Sequence, residues 1–164
     1  MSVRIEESST TFDSIKNKHF YPTEFNEEIQ SADIVILPSN EKDVLFPEIT
    51  TELFKFLSDN NSIHASISIS DDEYKKIEKH CDWIELGVFL VTSIALPIVI
   101  NLFSNFLYDK LKTLNKKDDE VTADVEIIVE ETKAKKSKKI IYKGPVNGIK
   151  DALEKSSKDL FDGK

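Results

Sequence analysis

A chain of 164 residues, 40% hydrophobic and 32% charged, carries enough apolar material for one domain with its own core. Its net charge of −8 argues against nucleic-acid binding, which needs a basic face. A single cysteine, Cys81, excludes an internal disulfide and suits a reducing, cytoplasmic setting. The charge is uneven: 8 Lys/Arg stand against 18 Asp/Glu before residue 86, and 14 against 12 after it.

Residues 1–31 are polar, with scattered aromatics (Phe12, Phe20, Tyr21, Phe25) and no sustained period. They read as a partly mobile N-terminal arm, without the apolar stretch of a cleaved signal peptide. Residues 32–164 read as a single domain. "DIVIL" (33–37), closed by "PSN", predicts a buried strand and a turn. "FPEITTELFKFL" (46–57) predicts a helix with Pro47 at its first position and Ile49, Leu53, Phe56 and Leu57 on one face. "SIHASISIS" (62–70) alternates Ile63, Ala65, Ile67 and Ile69 with polar residues, as a half-exposed strand does. Strand, helix, strand in this order implies a parallel pair.

A helix is expected to begin at Ser70 or Asp71 and to lead into "LGVFLVTSIALPIVINLFSNFLY" (86–108), which has no charged residue. The fold class predicted is α+β or α/β, with about four strands in the order β-α-β-α-β-β-α. Its centre would be a long apolar helix over 83–114, kinked or split at Pro97. "VTADVEIIVEE" (121–131) and "KIIYKG" (139–144) form an antiparallel hairpin across the loop "TKAKKSK", and "VNGIKDALEKSSKDLF" is an amphipathic closing helix.

The uncharged run admits three readings: a membrane span, a buried core helix, or a surface for a partner. Its length and the flanking Trp83, Tyr108 and lysines suit a span. A span, however, would separate strands that need one another to make a core. An apolar surface of this size normally marks an interaction site. Leu86, Phe89, Leu90, Leu96, Pro97, Ile100, Phe103 and Leu107 are therefore the candidate contacts, for self-assembly or for docking on a protein partner. Lys133, Lys135, Lys136, Lys138 and Lys139 are candidate contacts for an anionic surface or acidic partner.

Motifs of chemistry are missing. His19, His64 and His80 have no metal-ligand spacing, and four glycines make no phosphate-cradling loop. The two "DDE" clusters, 71–73 and 118–120, lack the spacing of a calcium loop. His80 and Cys81 are neighbours that point apart on a helix, so Cys81 reads as a buried structural thiol. No cofactor, metal or catalytic residue is expected. A site of scattered carboxylates such as Glu24, Asp43 or Glu48 would leave no signature in spacing.

Abundant Lys, Ile, Asn and Ser suggest a low-GC bacterial gene. "ADIVILPS", "ALPIVINLFSNFLYDKLK" and "VEIIVEE…YKGP", within residues 32–145, resemble a family of small uncharacterised bacterial proteins with no known activity. The expectation is a non-enzymatic accessory or interaction protein of the bacterial cytoplasm. The alternative is a single-pass or peripheral protein of the inner membrane, an anchor or membrane-acting effector.

Overall fold

The computed structural model describes residues 2–70, 83–131 and 136–160. Six strands form one mixed sheet: β1 (Ser2–Ser8), β2 (Ile34–Leu37), β3 (Ala65–Ile67), β4 (Trp83–Thr92), β5 (Thr122–Glu131) and β6 (Lys136–Pro145). The α-helices among the described residues are α1 (Asn26–Gln30), α2 (Thr50–Ser58), α3 (Leu96–Leu114) and α4 (Val146–Asp159). The spatial order is β1-β6-β5-β4-β2-β3. Pairs β2–β3 and β4–β5 are parallel, while β1–β6, β6–β5 and β4–β2 are antiparallel.

The α+β character, the parallel β2–β3 pair, the β5–β6 hairpin and helix α4 agree with the sequence reading. Helix α2 also forms, but it starts at Thr50, so Pro47 precedes the helix instead of opening it. β3 covers only Ala65–Ile67 of the expected 62–70, with Ser66 buried rather than exposed. Two larger features correct that reading. The sheet has six strands rather than about four, and no long apolar central helix spans 83–114. The first half of the uncharged run is β4, the second half is α3, and a turn over residues 93–95 joins them.

The turn is local chemistry. The Thr92 backbone carbonyl accepts the Ala95 N–H at 3.1 Å, and the Thr92 hydroxyl oxygen accepts it at 3.3 Å. Pro97 then falls in the first turn of α3, where a missing N–H costs nothing and a fixed φ favours the helix. It starts the helix instead of kinking it. At the far end Asn115 adopts the left-handed conformation (φ 55°, ψ 46°), and the Lys116 N–H closes on the Leu111 carbonyl at 3.0 Å.

β4 sits between β2 and β5, with side chains buried on both faces. A bulge between Glu85 and Gly87 interrupts its register with β5. Gly87 has φ +115°, and a Cβ there would stand 3.3 Å from Pro47 Cγ, so conformation and space both demand glycine.

Residues opposite one another in register share a face of the sheet. One face, with Ile34, Ile36, Phe89, Val91, Val125, Ile127, Val129, Ile140 and Tyr142, carries α2, α3 and α4. Phe103 of α3 meets Phe89 with ring centroids 4.7 Å apart. Phe56 of α2 meets Phe106 of α3 edge-on at 5.4 Å, and α4 packs on β6 and α3. The segment between β1 and β2 lies against the opposite face. It is tied there by the Phe12 N–H, which donates to Glu130 Oε1 at 2.7 Å, and is braced within itself by Gln30 Nε2, which donates to the Phe12 carbonyl at 2.7 Å. Phe12, Ile15, Phe20, Tyr21 and Ile29 of that segment are buried, and Val35, Leu37 and Leu90 are buried on β2 and β4.

Candidate interaction surfaces

Seven of the eight apolar residues expected to meet a partner are core. Leu86, Phe89, Leu90, Leu96, Ile100, Phe103 and Leu107 are buried by this chain's own strands and helices, and only Pro97 is exposed. The reason is the break at residues 93–95. Folded back on itself, the run covers much of its own apolar surface. A straight helix would have left that surface for something else to cover.

What α3 does leave outside is a second, complementary set of residues. Ile94 in the turn is 79% exposed, Ile98 37% and Tyr108 39%. Pro97, Asn101 and Asn105 are also exposed. Spacings of three and four residues put Pro97, Ile98, Asn101, Asn105 and Tyr108 on one side of the helix. No charge interrupts this stripe until Asp109 and Lys112. Helical spacing counted from Pro97 as a helix start would have identified it in the sequence.

The basic cluster is also placed differently. β6 begins at Lys136, so Lys136, Lys138 and Lys139 are strand residues, and Lys133 and Lys135 lie outside the described residues. Lys138 pairs with Glu7 at 3.7 Å; Lys139 pairs with Glu6 at 3.7 Å and Glu126 at 3.9 Å. These lysines help fasten β1 to the sheet. His80, Cys81 and the helix expected from Ser70 or Asp71 likewise lie outside the described residues.

On the half of the sheet formed by β1, β6 and β5, no described helix covers the face opposite α4. Its charges are largely self-neutralised. Arg4 contacts Glu6 at 3.6 Å, Lys139 bridges Glu6 and Glu126, and Lys143 Nζ lies 4.9 Å above the Trp83 ring. A cleft of about 250 Å³ between α2 and α3 is floored by Phe56 and Phe106. Its rim is closed by two ion pairs, Lys110–Glu52 at 2.9 Å and Lys55–Asp59 at 3.1 Å.

Chemistry on this scaffold is sparse. Among the described residues no group of three or more His, Cys, Asp or Glu side chains is placed to hold a metal ion. Among the described residues, the buried serine and threonine hydroxyls are those of Thr50, Ser66, Ser68, Ser104, Ser137 and Ser156. His19, His64, Glu24, Asp43 and Glu48 are exposed. The Tyr142 phenol is raised above its ordinary pKa by burial, and it donates to the Pro145 carbonyl at 2.6 Å. No described helix is long and apolar enough to cross a membrane. No protein-family model, no curated protein and no solved structure matches the chain.

Proposed function

We propose that this protein is a non-enzymatic interaction module of the cytoplasm that docks on a protein partner through the outer stripe of α3. One observation carries the reading: in a chain that is 32% charged, the solvent side of α3 from Ile94 to Tyr108 is uncharged and centred on exposed Ile94 and Ile98. Isolated exposed apolar residues are ordinary, but an aligned set on one helix marks a contact surface. The partner surface is an apolar, uncharged patch that offers a few donors and acceptors to the amides of Asn101 and Asn105.

The test places a photo-crosslinking residue at Ile98 in living cells, with Lys155 on the exposed side of α4 as the control position. A discrete adduct with another protein at position 98, absent at 155 and lost with Ile94→Asp, supports the reading. Adducts of equal yield at both positions, or none at either, overturn it. An adduct only with a second copy of this chain would mean that the stripe serves self-association instead.

A further inference from the structure

The first strand of the sheet is an open edge with an unusual symmetry in its sequence. β1 reads Ser-Val-Arg-Ile-Glu-Glu-Ser over Ser2–Ser8 and pairs with β6 without a bulge along its whole length. Its outer side has no described strand beside it, since the sheet ends there. The other edge, β3, is only three residues long. Natural edge strands are usually shortened, bulged or broken by proline. β1 is none of these; its only edge protection is the charge of Arg4, Glu6 and Glu7. It also exposes two apolar side chains on the helix-bearing face, Val3 and Ile5, each 39% accessible. They lie opposite buried Tyr142 and Ile140 of β6 but remain open on their outer side.

We propose that β1 pairs with β1 of a second copy, antiparallel and centred on Ile5, joining two sheets across a two-fold axis. The occupant is fixed by charge complementarity. In this register Ile5 faces Ile5 of the second copy, and Arg4 faces its Glu6 on the open face, twice by symmetry. Ser2 faces Ser8, and Val3 faces Glu7, whose carboxylate is already held by Lys138 at 3.7 Å. A shift of two residues in either direction sets Arg4 against Arg4 or Glu6 against Glu6, and like charges directly opposite are destabilising. A shift of one residue turns Ile5 toward Arg4 and breaks the division between faces. One register therefore satisfies charge, face and full overlap together.

The contact is one strand wide, well below the area of a permanent dimer, so the association is weak and concentration-dependent. It is independent of the α3 stripe, because α3 packs on β4, three strands away from β1.

Sedimentation of the full chain from about 5 to 500 µM, a range suited to micromolar affinity, tests the proposal. Wild type is expected to shift from monomer to dimer. Arg4→Glu and Glu6→Arg should each remain monomeric at every concentration, because each strand then opposes like charges. Mixed in equal amounts, the two variants should form a heterodimer, since each becomes the complement of the other. Chemical denaturation checks that both variants are folded. If either is not, Ile5→Lys, at an already exposed position on the axis, supplies the same readout. A wild type that stays monomeric overturns the proposal. So does a dimer that survives Arg4→Glu, or a mixture that fails to associate. Ile94→Asp should leave the dimer intact, which separates this result from the docking role of α3.

Discussion

Phe89 and Phe103 belong to the same uncharged run, one in its strand half and one in its helix half, and their rings meet at 4.7 Å with a 53° tilt. Both side chains are fully buried. Truncating either to alanine should cost about 3–5 kcal/mol of unfolding free energy, as for large buried aromatics elsewhere. The double variant should cost less than the sum, by roughly 0.5–1.5 kcal/mol for the ring pair. Urea denaturation of the three variants measures both quantities. Strict additivity would mean that the rings do not support one another.

Gly87→Ala should destabilise by about 1–3 kcal/mol, the range for a side chain forced into a sparsely populated backbone region. The φ of +115° and the Pro47 ring at 3.3 Å contribute separately. Combining it with Pro47→Ala should therefore recover the steric part only. Full recovery in the double variant would show that the backbone there can relax.

Tyr142 connects stability to alkaline pH. Its phenol is raised by burial, so the unfolded chain, whose tyrosine ionises near the ordinary value of about 10, gives up the proton first. The contribution of the neutral phenol is whole below that value and is lost as pH rises through the folded-state pKa. Tyr142→Phe removes the hydrogen bond to Pro145 and should cost about 1 kcal/mol near neutrality. Above pH about 10 the gap between variant and wild type should narrow. A gap that stays constant in alkaline urea titrations would contradict this assignment.

Asn115→Gly should stabilise, because only the residue after the last turn of α3 is left-handed there and glycine adopts that conformation without a Cβ penalty. Relief of the αL penalty, at most about 1–2 kcal/mol and smaller for Asn than for other residues, is partly offset by the extra freedom of glycine in the unfolded chain. A net gain of roughly a few tenths of a kcal/mol is therefore expected in thermal or urea unfolding. A loss would show that the Asn115 side chain makes a contact that outweighs the backbone term.

The elements legible in the sequence were those with one wet face. β5 shows the alternation of a half-buried strand, and α2 and α4 show an apolar stripe, because each has solvent on one side. β3 alternates in sequence as well, but its Ser66 and the following Ser68 are buried. β4 does not. Held between β2 and β5 and covered on both faces, it loses its period of two and looks like the helix that follows it. Length then favoured one long element, and the short turn at 93–95 carried no glycine to mark the break. β1 is illegible for the opposite reason: at an exposed edge, Val3 and Ile5 are too few to set a pattern. The most hydrophobic residues of the run are the ones the core consumes. The surface was left to the isoleucines and asparagines of lower prominence.

The neighbour of β1 has a consequence in time. Strand β1 opens the described chain, yet its partner β6 lies at residues 136–145. During synthesis Val3 and Ile5 leave the ribosome long before Tyr142 and Ile140 exist to receive them. Closing so long a loop is slow relative to forming the local β5–β6 hairpin. The β1–β6 seam therefore closes after the β5–β6 hairpin in each new molecule. Until then β6 is itself an unprotected border, able to take the first strand of another chain in place of its own.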